Sequence, residues 1–414
     1  MNHLADHYGL LLGLDASWQV RSVELSLDGN RVDIRLESAG GQVTCPRCAK
    51  ACPIADHATE RTWRHLDTMQ FETRIHARVP RSRCVECGVL TVAIPWADKH
   101  SRFTLMFEAF AIEVLRTASS INRAAALLRL DWDSVQTIMR RGVERGLSRR
   151  TAVPLPHVGM DEKSFLRGQS YVSILTDLDG SRVLEVADGR DARATDRLWQ
   201  SLPEAQRKSV KAVALDMSAT YAEGARRNVP QAEIVHDRFH VSKHLGEAVD
   251  QVRRKEHAKL LREGHSPLTG TRQLWLFREA NLPDRHQAVF RDLKASTLRT
   301  ARAWSLKEMF VGFWTFSLPG AARNYFSRWY GAAVRCRLTP MVGKAKMLKR
   351  HLEGLLSFVR HRITNALSEA FNSRIQEIKS TARGFRNFEH YRIRILFHLG
   401  KLDMRPARAG HDLS

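Results

Sequence analysis

Three acidic residues occupy positions where a strand end or a helix can present a carboxylate to a metal ion. Asp161 follows the apolar start of "VGMDEKSF", Asp216 ends the apolar run of "VALDMS", and Glu369 lies in a helical pattern nearer the C-terminus. Carboxylates are preferred ligands of hard cations such as Mg²⁺. Each acid taken alone is more simply a strand end or a helix face that reaches solvent. The metal-ligand hypothesis therefore depends on a fold that brings the three together.

Cysteine spacing indicates a second metal centre. Four of the six cysteines form two C-x2-C pairs separated by residues 49–83, namely Cys45 with Cys48 in "CPRC" and Cys84 with Cys87 in "CVEC". Two such pairs in a reducing compartment predict one structural Zn²⁺ held by four thiolates, because each short loop places two sulfurs on one ion. The alternative is a set of unmetallated core cysteines. Cys52 and Cys336 have no such spacing and are predicted to be ordinary buried thiols.

Composition restricts the partners of the chain. Its 414 residues suggest two to four domains, and 66 Lys and Arg against 44 Asp and Glu give a net charge of +22. So large a basic excess attracts polyanions, and nucleic acid is the usual one. The sequence contains no apolar run of membrane-spanning length and does not begin like a signal peptide, so we expect a cytoplasmic protein without a membrane partner.

The sequence pattern changes once along the first 150 residues. Residues 1–98 are predicted to form a β-rich zinc-binding module, in which "VELSLDGNRVDIRL" has the alternation and turn residues of a hairpin. Residues 99–150 are helical and have the outline of a helix-turn-helix, with a first helix over 124–128, a turn at Arg129 and Leu130, and a second helix capped by Asp131 and running to about residue 141. Arg129 stands where glycine is usual, so a plain helical hairpin is the alternative.

The predicted second helix supplies candidate contacts to DNA. Glutamine pairs bidentately with adenine and arginine with guanine, so Gln136 and Arg140 are the candidate base-contacting residues. The full predicted DNA-binding set is Arg123, Gln136, Thr137, Arg140 and Arg141.

From residue 151 the pattern predicts a mixed α/β domain. Three strand-like segments in hairpin succession precede alternating helices and strands, which is the order of the ribonuclease H-like fold. In such a sheet Asp161, on the first strand, and Asp216, at the end of the fourth, are neighbours. The period of two along a strand turns Glu162 to the face opposite Asp161. We expect residues 151–240 to form the first part of this domain, 241–350 an all-α insertion, and 351–414 a helix with Glu369 followed by a basic segment.

The whole pattern resembles the DDE transposases of bacterial insertion sequences, and specifically the ISL3 family. The most specific similarities are "CPRC" with "CVEC", "GMDEKSF", "ALDMSATY", "HDRFHVSKHL", "WLFREANL" and "TNALSEAFNSRIQEIKSTARGFRN". The family combines a four-cysteine zinc finger, a helix-turn-helix and a ribonuclease H-like domain with a helical insertion.

This resemblance implies catalytic roles for Asp161, Asp216 and Glu369, which would hold two Mg²⁺ or Mn²⁺ ions for attack on a phosphodiester. It also implies a supporting role for Asp237 and His240, which fit a D-x-x-H element; a core role is the alternative. The expected activity is binding of terminal inverted repeats, cleavage of the element ends and joining of the 3′ ends to target DNA. A homodimer in a synaptic complex at the bacterial nucleoid is the expected assembly. Two alternatives stay open: a nuclease of the same fold, and a non-catalytic DNA-binding regulator.

Overall fold

The computed structural model describes residues 3–165, 170–363 and 366–406, and the backbone alone for 366–369. The chain divides into two compact units, Met1–Arg150 with Leu402–Ser414, and Thr151–Lys401. The predicted segment 351–414 is thus divided at residue 401, with its last part in the first unit. No helix in these described ranges is both long enough and apolar enough to cross a membrane.

The first unit begins with helix α1 (His3–Leu11) and two small sheets. Its strands are β1 (Trp18–Ser26), β2 (Arg31–Ser38), β3 (Gln42–Thr44), β4 (Ala51–His57), β5 (Arg61–Arg64), β6 (Glu72–Ala77), β7 (Pro80–Cys84) and β8 (Gly88–Thr91). One sheet has the order β1-β2-β6-β5 and buries Ile34, Trp63 and Ile75, while the other has the order β3-β4-β7-β8. The antiparallel pairing of β1 with β2 confirms the hairpin predicted from the sequence.

Three helices follow the sheets: α2 (Leu105–Thr117), α3 (Ile121–Leu128) and α4 (Trp132–Ser148). Asp131 caps α4 as predicted, with its carboxylate accepting from the Ser134 N–H over 2.7 Å. Both helices of the predicted pair are longer than expected: α3, capped by Ser120, begins at Ile121, three residues before the predicted start, and α4 continues to Ser148.

The second unit contains a five-stranded mixed sheet. Its strands are β9 (His157–Ser164), β10 (Tyr171–Asp177), β11 (Arg182–Asp188), β12 (Ala212–Leu215) and β13 (Glu233–His236). The order is β11-β10-β9-β12-β13; the first three strands are antiparallel, and β12 is parallel to both β9 and β13. The mixed sheet predicted from the sequence is therefore present.

Helices cover both faces of this sheet and continue into a large helical region. They are α5 (Ala192–Gln200), α6 (Glu204–Ser209), α7 (Ala219–Asn228), α8 (Arg238–Arg262), α9 (Arg272–Leu276), α10 (Asp284–Ala295), α11 (Arg299–Val311), α12 (Pro319–Arg335), α13 (Thr339–Arg350), α14 (Leu352–His361), α15 (Ala366–Thr381) and α16 (Phe388–Leu399). Met160 of β9 packs with Leu198 of α5 and Tyr221 of α7 on one face. On the other face, Val235 of β13 packs with Phe358 of α14.

Candidate active site and zinc centre

Asp161 and Asp216 lie side by side at one edge of the second unit's sheet. Strand β12 runs parallel to β9 with Ala214 opposite Gly159, so the residues two positions further along, Asp216 and Asp161, are level with each other. The negative charge of Asp216 contributes to raising the pKa of Asp161, which reflects this proximity. The sheet therefore brings together the two strand-borne acids singled out from the sequence.

The Asp161 carboxylate is held in a defined orientation. Burial raises its pKa, and two donated hydrogen bonds oppose that rise. The Glu162 backbone N–H donates to Oδ1 over 2.8 Å, and the Asn372 amide donates to Oδ2 over 2.6 Å. The charge of His240 also lowers the pKa of Asp161. A buried carboxylate beside a second one is an arrangement that a cation stabilises, because it offsets both desolvation and mutual repulsion.

Glu162 lies in different surroundings from Asp161, in agreement with strand alternation. It is paired across the sheet with Ser173, whose hydroxyl hydrogen-bonds the Tyr221 hydroxyl over 2.8 Å on the face covered by α7. The Arg190 guanidinium approaches the Glu162 carboxylate at 3.4 Å. Burial raises the pKa of Glu162, and Arg190 opposes that rise.

Helix α15 packs against β9 and carries both Asn372 and Glu369. The hydrogen bond from Asn372 to Asp161 fixes this helix beside the acidic pair, and Lys379 adds a bond to the Ser164 carbonyl over 2.9 Å. Glu369 precedes Asn372 by three residues, about one helical turn, but its side chain lies outside the part that the structure describes. Asn372 is a site residue that sequence reasoning missed, although its spacing from Glu369 was the available signal.

Asp237 and His240 lie at the start of α8, directly after β13. Leu215 pairs with His236, so Asp237 is level with Asp216 at the same sheet edge. Asp237 is 2% exposed and caps α8, with Oδ1 accepting from the Phe239 N–H over 3.3 Å. Its Oδ2 atom has no hydrogen-bond partner among the described residues. The D-x-x-H pair thus lies beside the acids, with one buried oxygen still available to a donor or a cation.

The four predicted zinc ligands converge in the second small sheet. The Sγ atoms of Cys45, Cys48, Cys84 and Cys87 all lie within 4.8 Å of one another, and Cys48 Sγ is 3.6 Å from Cys84 Sγ. Tetrahedral Zn²⁺ with Zn–S bonds of about 2.3 Å requires sulfurs about 3.8 Å apart, so the cluster fits the ion. Backbone N–H groups of Cys87 and Glu86 lower the pKa of Cys84 to about 6, whereas burial and the neighbouring thiols raise the pKa of Cys87 to about 12. Such opposite shifts are expected where several thiols crowd together without a cation, and a bound cation favours the thiolate at each of them.

Cys52 and Cys336 differ in their surroundings. Cys52 is buried beside the four-cysteine cluster and donates to the Lys50 carbonyl over 3.4 Å. Cys336 is half-buried at the end of α12. The prediction of a buried thiol is therefore confirmed for Cys52 and only partly met by Cys336.

Two of the predicted DNA-contacting residues have side chains turned away from solvent. Gln136 is 6% exposed, which argues against a contact with a base edge, and that contact stays a prediction. Its position on α4 faces the helices packed against it. The Arg141 guanidinium turns inward, donating to buried Glu108 over 2.9 Å and to the Lys99 carbonyl over 3.0 Å.

The remaining predicted contacts are more accessible. Arg140 is exposed and forms an ion pair with Glu144 over 2.8 Å. Arg123 is exposed and donates to the Ser119 hydroxyl over 3.1 Å, and Thr137 is half-buried. In the turn, Arg129 adopts a left-handed conformation with φ 54°, and its guanidinium donates to the Gln70 carbonyl over 3.0 Å. Arg129 thus adopts the left-handed conformation for which glycine is common, and its side chain is hydrogen-bonded to residue 70.

A β module with four converging cysteines, a helix-turn-helix and an acidic sheet edge follow one another in this order, and comparison with known families identifies the class as transposase. Residues 158–395 match a family model described as transposase of the ISL3 type. Residues 92–143 match the helix-turn-helix domain of transposase family ISL3, and residues 41–87 match the zinc-finger of transposase IS204/IS1001/IS1096/IS1165. The chain belongs to the ISL3 family of insertion-sequence transposases.

Full-length relatives support the same assignment. The chain is 29% identical over 390 residues to the transposase for insertion sequence element IS1001 of Bordetella parapertussis, covering 91% of this chain and 95% of the relative. It is 27% identical over 410 residues to the transposase for insertion sequence element IS1557 of Mycobacterium tuberculosis, covering 91% of each. These similarities extend across all the regions described above.

Proposed function

We propose that the protein binds the terminal inverted repeats of an insertion sequence, cleaves the element ends and joins the 3′ ends to target DNA. The observation that carries this proposal is the placement of Asp161 beside Asp216, with Asn372 of α15 hydrogen-bonded to Asp161. Membership of the transposase family supports this class of reaction, and the paired acids support its location at this part of the sheet.

We assign a ribonuclease H-like fold to the catalytic domain. The sheet order β11-β10-β9-β12-β13, with three antiparallel strands followed by two parallel ones, supports this assignment. In the proposed organisation, residues 1–98 form the zinc module, 99–150 the helix-turn-helix domain and 151–240 the first part of the catalytic domain. Residues 241–350 form the all-α insertion, and the catalytic helix and basic segment follow over 351–414.

Asp161, Asp216 and Glu369 are the proposed ligands of two Mg²⁺ or Mn²⁺ ions. Their carboxylate oxygens suit these hard cations, and the raised pKa of Asp161 fits a site completed by positive charge. When bound, the ions supply stabilisation of the attacking and departing oxygens of an in-line displacement.

The other residues of the site orient these ligands. Asn372 holds Asp161 Oδ2, and the Glu162 backbone N–H holds Oδ1, so the carboxylate keeps one orientation. Asp237 and His240 are proposed to support the site from the first turn of α8, where the charge of His240 favours ionised Asp161. These contacts pre-position the oxygen ligands before DNA arrives.

DNA recognition is assigned to the first unit. Arg140, Arg123 and Thr137 are the proposed DNA contacts of the helix-turn-helix, and the zinc ion stabilises the adjoining β module. The net charge of +22 favours association with DNA, and with the nucleoid in a bacterial cell. Two ends of one element must be processed together, so we propose a homodimer in the synaptic complex.

The test uses the full-length protein, a linear duplex that contains the inverted repeat flanking its gene and continues into DNA outside the element, and a supercoiled target plasmid. With Mg²⁺ we expect a nick that exposes a 3′-hydroxyl at the element end, followed by covalent joining to the plasmid; EDTA should abolish both steps. Cleavage without joining would indicate a nuclease. Binding without any cleavage would indicate a DNA-binding regulator and would overturn the proposal.

A further inference from the structure

Phe239 is an exposed aromatic residue next to the candidate active site. Its side chain is 54% exposed, whereas Phe310, Phe313 and Phe326 in the helical region are buried. We propose that Phe239 stacks on an unpaired base of the DNA beside the scissile phosphate and so positions the strand that is cut. This inference rests on the proposed function, because it requires DNA at the acidic sheet edge.

The position of Phe239 in α8 ties it to the reacting groups. It follows Asp237, which is level with Asp216 at the sheet edge, and its backbone N–H donates to Asp237 Oδ1 over 3.3 Å. It precedes His240, whose charge lowers the pKa of Asp161, and the two rings lie 6.2 Å apart at 90°. The backbone of Phe239 is therefore fixed beside the acids while its ring faces solvent.

The chemistry of this first turn suits a nucleic-acid strand. Arg238 is exposed next to Phe239, and arginine side chains commonly bind the phosphates of a nucleic-acid strand. The unpartnered Oδ2 of buried Asp237 leaves an acceptor for a donor on the substrate or for a cation. Aromatic side chains stack on any base, since every base has a π-face.

An unpaired base at the cleavage point explains why the ring is exposed before DNA binds. Drawing the scissile phosphate into the acidic site bends the strand there, bending can unpair the adjoining base, and a stacked aromatic side chain stabilises that displaced base. The contribution of one stacked base corresponds to about 10–100-fold in rate. Phe239 would then be a positioning residue that acts on the substrate strand.

The experiment compares Phe239→Ala, Phe239→Leu and Phe239→Trp in single-turnover cleavage of the duplex element end with Mg²⁺. We expect Phe239→Ala and Phe239→Leu to lose about 10–100-fold in rate, and Phe239→Trp to stay within about threefold of the natural protein. Phe277→Ala is the matched control, because Phe277 is also exposed, at 37%, but lies in the helical region after α9. This control should cleave at the natural rate.

A second set of substrates separates stacking from general packing. An abasic site is placed in turn at each of the three positions on either side of the cleavage point, since a missing base removes the cost of unpairing. At one position the cleavage rate of Phe239→Ala should rise to within about threefold of the rate of the natural protein, because no base is left there for the side chain to stack on. The inference is overturned if no position restores cleavage, or if Phe239→Leu or Phe239→Ala cleaves intact duplex as fast as Phe277→Ala. The proposed function fails separately, if Asp161→Asn cleaves normally in the same assay.

Discussion

Asn372 donates a hydrogen bond over 2.6 Å to Asp161, and this bond connects helix α15 to strand β9 although 211 positions separate the two residues. Its partner oxygen belongs to a carboxylate whose pKa is raised by burial, and the bond from Asn372 lowers that pKa. The helix that carries Glu369 is therefore coupled to the ionisation of Asp161. The protonation state of Asp161 thus depends on this amide together with burial and the Glu162 backbone N–H.

Asn372→Ala should shift the pH dependence of cleavage. Losing the donated bond raises the pKa of Asp161 further, and ionised Asp161 is the form that holds a cation. The acidic limb of the rate profile should thus move to higher pH, with a loss of about tenfold at acidic pH and a smaller loss at alkaline pH. Gln376→Ala, at an exposed position one turn further along α15, is the control and should keep the natural profile. Identical pH profiles for all three proteins would contradict the coupling.

The arrangement of the acids on the strands was predictable from the sequence, because it follows from local periodicity. Alternation along β9 separates Asp161 from Glu162, and a parallel pairing with β12 puts Asp216 beside Asp161. The hydrogen bond from Asn372 was not predictable, because the sequence does not specify which residue of a polar helix face meets a strand 211 positions away. Tertiary packing alone decides that contact.

Substitution of single cysteines should distinguish the four zinc ligands from the neighbouring Cys52 by the zinc content of the purified protein. Cys45→Ser and Cys87→Ser should each lose most of the bound zinc, because three thiolates leave an open site. Cys52→Ser should keep about one zinc per chain, since Cys52 lies beside the cluster and is outside the set of four converging sulfurs. Elemental analysis of purified protein measures the ratio. Natural protein without zinc would contradict the assignment.

Substitutions of Arg140 and Gln136 should have different effects, the first on DNA affinity and the second on folding stability. Arg140 is exposed, so Arg140→Ala should weaken binding to the inverted repeat by about 1–3 kcal/mol and leave binding to random DNA nearly unchanged. Gln136→Leu removes a buried amide that has no hydrogen-bond partner among the described residues, so it should stabilise folding by about 1 kcal/mol without changing DNA affinity. Fluorescence anisotropy and chemical unfolding measure the two effects. A specific loss of affinity in Gln136→Leu would restore its predicted base contact.

The burial of Gln136 has a physical origin in helix packing. A helix that packs against one neighbour has a wide polar face, but α4 packs against both α2 and α3 and buries more of its circumference. A polar residue near the edge of the apolar stripe then becomes enclosed. Similarly, the ion pairs from Arg141 and Arg145 to buried Glu108 join residues on two helices, and no local pattern indicates them.

Gly354 should be required for the packing of α14 against the end of β13. A Cβ atom at Gly354 would come within 2.3 Å of His236 Cδ2, and His236 is buried directly before Asp237. Gly354→Ala should thus lower the free energy of unfolding by about 1–3 kcal/mol. Gly343→Ala in α13 is the matched control, since nothing lies within 4 Å of its Cβ, and it should be neutral or stabilising by up to about 1 kcal/mol. Equal stability of the two variants would show that His236 moves freely.

The most direct test of the central claim is the single-turnover cleavage rate of Asp161→Asn and Glu162→Gln on DNA carrying the element end, with Mg²⁺. Asp161→Asn keeps the size of the side chain but removes the charge that holds the cation, so cleavage should fall by about a thousandfold or more while DNA binding and folding persist. Glu162→Gln changes the adjacent carboxylate on the other face of β9, beside Arg190, and should stay within about tenfold of the natural rate. Normal cleavage by Asp161→Asn would contradict the assignment of the site. If Glu162→Gln failed to cleave in the same assay, the catalytic role would belong to Glu162.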